Sequence, residues 1–428
     1  MALNTDPRLQ NQVIYSVYVR AHTPEGSFRA VAEDLDRIRA LGTDIIWFMP
    51  IHPIGVEGKK GSLGCPYANR DYRTVNPAYG TMEDFRGLVD EIHRRGMKVL
   101  IDVVYNHTSP DSNLYHEHPE FFYRLPDGRP GNKAGDWSDV IDLDYTVPAL
   151  WDYQIESLCM WAKIVDGFRC DVASLVPLDF WKKARAEVAK VNPGCIWLAE
   201  SVHALFANRV RAMGFHAARD TELFDAFDME YDYDIWEGFE RFVTGRGPLS
   251  GYLELLNIQQ AMHPDNYNKM RCLENHDQPR IASRVSDPLA LENFTAMLYF
   301  LKGATLLYAG QEFACTHRPS LFEQEVFPRD TGRDLSPLLR KLAEVKRLLG
   351  ADDAFFADGD DESCIALMER VNGDSRKLGV FSLRGKAGEI AVDLPDGNYV
   401  NRIDNSAVPV KGGKLVSSGK PIVLILPR

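Results

Sequence analysis

The feature that most limits the possible folds of this chain is a regular alternation of short apolar runs with segments of helical period. The runs predicted to be strands span residues 12–19, 44–49, 98–104, 167–171, 196–200, 224–229, 270–274 and 305–309. The segments predicted to be helices span residues 28–41, 81–95, 149–164, 178–191, 233–242, 253–262, 289–301 and 335–349. Strands and helices that alternate in this way predict parallel βαβ units and hence an α/β fold.

Alternation alone does not distinguish a closed barrel from an open parallel sheet, but the positions of the polar residues favour one of them. Titratable side chains stand at the carboxyl ends of the third, fourth, fifth and seventh predicted strands. In a closed (β/α)8 barrel these ends converge on one mouth, where active sites lie. An open sheet would distribute them along an edge. We therefore predict a (β/α)8 TIM barrel.

Two regions depart from the alternation. Residues 106–144 carry Gly, Pro, Asp and aromatic residues without a helical period, so we predict a short irregular excursion after the third strand. From about residue 351, short apolar runs are separated by Gly-Asp, Asp-Gly and Gly-Gly turns, which is typical of antiparallel strands. We predict a catalytic barrel over residues 1–350, including the excursion, and a small C-terminal antiparallel β domain over residues 351–428.

Charge and cysteine content exclude some classes of partner. The formal net charge of -12 is scattered along the chain, which argues against nucleic acid or an anionic membrane as a partner. No apolar run approaches the length of a membrane span, and residues 1–12 lack the apolar core of a signal peptide. The seven cysteines show no Cys-x-x-Cys spacing, so we expect free thiols and a cytoplasmic location.

The stretch Gly-Phe-Arg-Cys-Asp at residues 167–171 carries the strongest chemical signal. Residues two apart on a strand face the same side, so Arg169 and Asp171 would project together. A neighbouring cation favours the ionised carboxylate, which is the form that acts as a nucleophile. Glu200 and Asp277 also follow predicted strands, and cleavage of a glycosidic bond needs a pair of carboxylates. A single Asp or Glu at the end of a strand is more often a helix cap or an ion-pair partner. Three carboxylates at the same end of the predicted barrel favour catalysis.

Four segments then resemble the signature regions of the α-amylase family, glycoside hydrolase family 13. They are Asp-Val-Val-Tyr-Asn-His at 102–107, Gly-Phe-Arg-Cys-Asp at 167–171, Ala-Glu at 199–200 and Glu-Asn-His-Asp at 274–277. The stretches 66–72 and 76–81 are also similar to the family's loop after strand two. The resemblance runs from about residue 13 to residue 312, and all four regions occur in the family's order.

The resemblance implies a role for each matched residue. Asp171 would be the nucleophile that forms a covalent glycosyl-enzyme, Glu200 the acid and base, and Asp277 the stabiliser of the developing positive charge. The substrate-binding residues would be Tyr67, which stacks under the sugar, His107 and His276, which bind its hydroxyls, and Arg169, which orients the nucleophile. The alternatives are that Tyr67 packs within its loop and that His107 is a turn residue.

The resemblance leaves calcium open and implies no other cofactor. Family members that hold calcium use positions matched here by Asn106 and Asp142. The family's Lys-His pair after the nucleophile is replaced by Ser174-Leu175, so only a backbone carbonyl of Leu175 could contribute. The alternative is that Asn106 and Asp142 only tie the excursion to the barrel.

The function expected from these residues is retaining hydrolysis of α-glucosidic bonds in malto-oligosaccharides or starch-like glucans. The bonds would be mainly α-1,4, with α-1,6 left open because Val172 follows the nucleophile as in α-1,6-cleaving relatives. A transglycosylase or a sucrose-type phosphorylase on the same scaffold is the alternative. A non-catalytic carbohydrate-binding or interaction protein is a remote third, since all three carboxylates are present.

Overall fold

A computed structural model describes residues 5–135 and 137–427 of the chain. The predicted domain limits at residues 1 and 428 therefore lie outside the described residues. Within the described residues, no helix is both long enough and apolar enough to cross a membrane.

Eight parallel strands close into a barrel, which confirms the predicted fold. They are β1 (Val13–Val17), β2 (Ile45–Phe48), β3 (Lys98–Val103), β4 (Gly167–Cys170), β5 (Ile196–Ala199), β6 (Met229–Tyr231), β7 (Lys269–Arg271) and β8 (Ala304–Tyr308). Each strand pairs with its neighbours in the sequence order of the barrel, and β8 returns to β1. The strands are almost wholly buried, because helices cover the outer face and side chains fill the interior.

The helices around and beyond the barrel were predicted less completely than the strands. They are α1 (Val19–His22), α2 (Phe28–Glu33), α3 (Leu35–Ala40), α4 (Met82–Arg94), α5 (Asn113–Glu117), α6 (Pro148–Trp161), α7 (Leu178–Val188), α8 (Ala204–Ala212), α9 (Asp220–Leu223), α10 (Trp236–Val243), α11 (Leu249–Met262), α12 (Pro288–Phe300) and α13 (Ser336–Lys346). The single helix predicted over 28–41 is two helices that meet at Asp34. The Asp34 carboxylate is held there by His22 at 2.8 Å and by Arg37 at 2.7 Å.

The sixth strand was predicted in the wrong place. Residues 224–228 form the turn after α9, and β6 begins only at Met229. Phe224 and Phe227 are fully buried in that turn, and they supplied the apolar run that the sequence pattern assigned to a strand. A short apolar run cannot be separated from a buried turn by periodicity alone.

The excursion after β3 is anchored to the barrel by a small antiparallel ribbon. Its two-residue strands, His107–Thr108 and Ile141–Asp142, pair so that His107 lies opposite Asp142. The Tyr72 hydroxyl donates hydrogen bonds to the carbonyl oxygens of Val104 (2.8 Å) and His107 (2.9 Å). The ribbon therefore fixes His107 at the mouth of the barrel.

The C-terminal residues form two four-stranded antiparallel sheets. The strands are β9 (Ala354–Asp360), β10 (Ile365–Val371), β11 (Ser375–Ser382), β12 (Gly388–Ala391), β13 (Gly397–Val400), β14 (Ala407–Lys411), β15 (Lys414–Ser417) and β16 (Ile422–Pro427). Their orders are β9-β10-β11-β16 and β12-β15-β14-β13. The sequence pattern predicts strands only over residues 364–369, 377–383, 389–392, 414–417 and 422–426, so β9, β13 and β14 were not predicted. The side chain of Asn257 on α11 exchanges two hydrogen bonds with the backbone of Ala357, which fastens β9 to the barrel.

Candidate active site

The three carboxylates that the sequence singled out line one cavity at the carboxyl ends of the barrel strands. Asp171 follows β4 directly and Glu200 follows β5, while Asp277 lies six residues after β7. The cavity has a volume of about 220 Å³, and its walls also contain Tyr67, His107 and His276. Because parallel strands point their carboxyl ends toward the same mouth, residues far apart in sequence meet there.

Arg169 lies beneath this cavity and is completely buried. Its Nη1 donates to Asp171 Oδ1 at 2.8 Å and to Asp102 Oδ1 at 2.9 Å, and its Nη2 lies 2.7 Å from Glu200 Oε1. The planar guanidinium can serve several carboxylates at once because its donors project in a fixed fork. One buried cation therefore orients both proposed catalytic carboxylates.

Three aromatic rings enclose the guanidinium carbon of Arg169. It lies 5.2 Å from the ring centroid of Trp47, 5.4 Å from that of Tyr231 and 5.6 Å from that of Tyr67. Cation–π attraction at these distances compensates part of the cost of burying the charge.

Asp102 is a site residue that the sequence analysis missed. The register of β3 and β4 places it opposite Arg169, and its carboxylate also accepts a hydrogen bond from the Tyr67 hydroxyl at 3.1 Å. Burial raises the pKa of Asp102 to about 7, and the charge of Arg169 opposes that shift. The available signal was its place as the first residue of the stretch at 102–107, at the end of a strand.

Glu200 has the environment of a general acid. Burial raises the pKa of Glu200 well above its ordinary value, the charge of Arg169 opposes the shift, and the charges of Asp171 and Asp277 add to it. A carboxyl group whose pKa is raised keeps its proton toward neutral pH, where it can protonate a leaving oxygen.

The backbone beside the nucleophile holds Glu200 in place. The Val172 N–H donates to Glu200 Oε2 at 2.7 Å. Val172 has φ 34° and ψ 45°, a left-handed conformation that is unfavourable for a β-branched residue. The strained peptide aims its N–H group at the carboxylate.

Asp277, His276 and Tyr67 contact one another in the cavity wall. The side chain of Asp277 is 45% exposed, and its Oδ2 lies 3.2 Å from His276 Nε2. The rings of Tyr67 and His276 stack with centroids 5.4 Å apart, and the Tyr67 hydroxyl lies 2.7 Å from His276 Nε2. Burial lowers the pKa of His276 to about 4, so its imidazole is neutral at neutral pH.

His107 also lines the cavity, together with Trp137, Lys60 and Asp139, which were not predicted. His107 Nε2 is 4.0 Å from Asp171 Oδ2, and its ring centroid is 5.6 Å from that of Trp137. Lys60, in the loop after β2, forms an ion pair at 2.9 Å with Asp139 in the excursion, and both line the cavity wall. No sequence pattern indicated this pair, because its partners are far apart and lie in irregular segments.

The residues considered for calcium do not present the ligands that calcium needs. Asn106 directs its Nδ2 amide group toward Asp142 Oδ1 at 3.4 Å, and the Lys133 N–H donates to Asp142 Oδ2 at 2.7 Å. Calcium is bound by six to eight oxygen atoms that point at the ion. Among residues 5–135 and 137–427, no cluster of three or more His, Cys, Asp or Glu side chains could hold a metal ion.

Comparison with known proteins assigns both parts of the chain. Residues 9–354 match the family model described as the alpha amylase catalytic domain. Residues 357–424 match the bacterial alpha amylase C-terminal domain. The two matches follow the division between the barrel and the C-terminal sheets.

Individual relatives agree with these matches. A crystal structure of an alpha-amylase from Lactobacillus plantarum is 43% identical with a TM-score of 0.94, and the match covers 98% of this chain and 100% of that one. A noncanonic maltogenic alpha-amylase from Thermotoga neapolitana is 33% identical with a TM-score of 0.86, over 98% and 100%. An alpha-amylase of Haloarcula japonica is 28% identical over 91% of this chain.

The match to the Haloarcula japonica protein spans only 59% of that protein's length, and the matches to two further curated relatives span 59% and 58%. The family model nevertheless covers most of this chain, and the Lactobacillus plantarum structure is matched along its whole length. The chain therefore belongs to the alpha-amylase family of glycoside hydrolases.

Proposed function

We propose that the protein hydrolyses α-glucosidic bonds, mainly α-1,4, in malto-oligosaccharides or starch-like glucans, with retention of the anomeric configuration. The observation that supports this most is the convergence of Asp171, Glu200 and Asp277 on one cavity above a buried arginine. Two carboxyl groups with different environments can divide the roles of nucleophile and acid.

The first step would form a covalent glycosyl-enzyme. Asp171 Oδ1 is bonded to Arg169, which leaves Oδ2 to attack the anomeric carbon. As the new C–O bond forms, the glycosidic bond breaks and Glu200 gives its proton to the departing oxygen. In the second step Glu200 takes a proton from water, the water oxygen attacks the same carbon, and Asp171 is released. Two inversions give net retention.

The remaining predicted residues would bind the reacting sugar. Tyr67 presents a partly buried ring as a stacking platform, and His107 and His276 present nitrogen atoms to hydroxyl groups. Asp277 is the most exposed of the three carboxylates, and its charge would stabilise the oxocarbenium-like transition state.

Product analysis tests this proposal. Proton NMR during early cleavage of maltoheptaose is expected to show the α-anomer first. Maltoheptaose, panose and sucrose should each be tested with and without phosphate, because phosphate or an acceptor sugar would replace water in the alternative reactions. Cleavage of sucrose only in phosphate would establish the phosphorylase alternative instead. Release of the β-anomer first would contradict the retaining mechanism.

Replacing Arg169 by Lys is expected to lower kcat/KM on maltotriose by about 10²–10³-fold, because a single ammonium cannot hold Asp171 and Glu200 together. Steady-state kinetics checks this result. The control is Arg8→Lys, since Arg8 is an exposed arginine that forms an ion pair with Asp6. A lysine variant with the parent's kcat/KM would show that Arg169 does not orient the carboxylates.

We also propose that the protein works in a reducing cytoplasm and without a nucleic-acid or membrane partner. All seven cysteines lie among the described residues and are free thiols, and five of them are buried. Disulfides are rare in reducing compartments, so this state supports the proposal. Fractionation of the source cells with immunodetection tests it, and recovery outside the cytoplasm would contradict it.

A further inference from the structure

The excursion meets the barrel at a buried polar cluster around Asp142. Asp142 Oδ1 accepts from Asn132 Nδ2 at 3.3 Å and from Asn106 Nδ2 at 3.4 Å, and Oδ2 accepts from the Lys133 N–H at 2.7 Å. Among the described residues, these three partners of the carboxylate are all N–H donors. In the parent protein the chain itself therefore satisfies both oxygens of Asp142.

A cavity of about 230 Å³ adjoins this cluster, separate from the catalytic cavity. Asn106, Asp142 and Leu175 all line it, so it is the place where the residues considered for calcium meet. Lys133 and Asp144 line the same cavity. A lysine side chain therefore lines the cavity shared by the residues considered for calcium.

The Lys133 ammonium is held there by specific contacts. Its Nζ donates to the carbonyl oxygen of Leu143 at 2.5 Å, in the segment that leads from the ribbon back to the barrel. Burial lowers the pKa of Lys133, and the negative charges of Asp142 and Asp144 oppose that shift. A buried ammonium group stabilises a fold only when it is paired with an opposite charge or hydrogen-bonded.

We propose that the Lys133 ammonium takes the place of a divalent cation and fastens the excursion to the barrel. The chain carries its own cation, so the fold would not depend on calcium. This contact is connected to the active site through His107. Asp142 lies opposite His107 in the ribbon, and Asn106 directly precedes His107 in the chain. This inference concerns stability and stands apart from the proposed reaction, so either could fail without the other.

The first test measures the unfolding temperature of the parent protein in excess EDTA and in millimolar CaCl2. We expect the same value in both, and less than stoichiometric calcium in the dialysed protein by elemental analysis. A ligand that binds only the folded state raises the unfolding temperature with its concentration. A rise in CaCl2 would therefore overturn the proposal.

The second test removes the ammonium. Lys133→Ala removes the ammonium from the Leu143 carbonyl oxygen and from the cavity that Asp142 and Asp144 also line, so its unfolding temperature in EDTA is expected to fall by about 5 °C or more. Calcium should restore part of that loss. Lys133→Met is the matched control: it keeps the stem, loses the charge, and should lose stability without responding to calcium.

A lysine substitution at the protein surface is the control, and two outcomes of the Lys133 variants would refute the proposal. Lys190→Ala, at an exposed ion pair with Glu187, is expected to behave as the parent in both buffers. A folded Lys133→Ala variant that is indifferent to calcium would overturn the proposal. If Lys133→Ala does not fold in either buffer, Lys133→Met decides: parental stability of that variant would likewise overturn it.

Discussion

Replacing Asp171 by Asn is expected to lower kcat/KM for malto-oligosaccharides by about 10⁴–10⁶-fold, the scale of losing a covalent nucleophile. An amide keeps the size of the side chain but cannot form the glycosyl ester. Steady-state kinetics on maltotriose and maltoheptaose checks this expectation. The matched control is Asp152→Asn, at an exposed position on α6 where the carboxylate forms an ion pair with Lys183. That variant should retain the activity of the parent.

Chemical rescue separates loss of the nucleophile from loss of the fold. Asp171→Gly leaves an open space below the anomeric carbon, and azide can enter it and form a C–N bond as the glycosidic C–O bond breaks. A single displacement of an α-glucoside by azide gives the β-glycosyl azide, which NMR identifies. Recovery of an α-product, or an Asp171→Asn variant as fast as the parent, would refute the assignment of the nucleophile.

Replacing Glu200 by Gln is expected to have a strongly substrate-dependent effect. Cleavage of maltotriose should fall by about 10²–10⁴-fold, because its leaving oxygen needs a proton. The first step on a dinitrophenyl α-glucoside should fall much less, since that phenolate leaves without one. Pre-steady-state release of the phenolate measures this step directly. The control is Glu254→Gln, at an exposed position on α11.

The pH dependence gives a second check on Glu200. Burial, the nearby acidic side chains and the opposing charge of Arg169 leave the pKa of Glu200 raised well above its ordinary value. The acid form is the active one, so turnover of malto-oligosaccharides should persist below that pKa and fall as the pH rises through it. Glu200→Gln should abolish this basic limb in the residual cleavage of maltotriose, whereas release of the dinitrophenolate should lack the limb in the parent as well. Equal losses on both substrates, with the limb unchanged, would mean that another group is the acid.

The barrel was predictable because polar residues mark the ends of several of its apolar strands in the sequence. β3, β4 and β5 are mainly apolar runs that end at polar, titratable residues, and the parallel arrangement brings such ends together whatever their spacing in the chain. The sixth strand failed for the converse reason. Phe224 and Phe227 bury as much apolar surface in a turn as they would in a strand, so tertiary packing and not local pattern decides their conformation.

The site was predictable only where chemistry and strand ends coincide. Asp102 stands at such an end, but its importance comes from lying opposite Arg169, which depends on strand register. The pair of Lys60 and Asp139 depends on how two irregular segments approach each other above the cavity, and neither segment has a period that fixes its path. Cross-strand register and loop approach are three-dimensional relations that a single sequence leaves open.

The left-handed backbone at Val172 has a consequence for attempts to engineer this protein. A β-branched residue in that conformation costs on the order of 1–3 kcal/mol, so the native fold gives up stability at the point where the acid is aligned. Glycine adopts the conformation without that cost. Random mutagenesis with selection for thermal stability would then tend to accumulate substitutions beside the nucleophile, and each of these would lower kcat. Directed evolution for thermal stability should therefore measure kcat at every round.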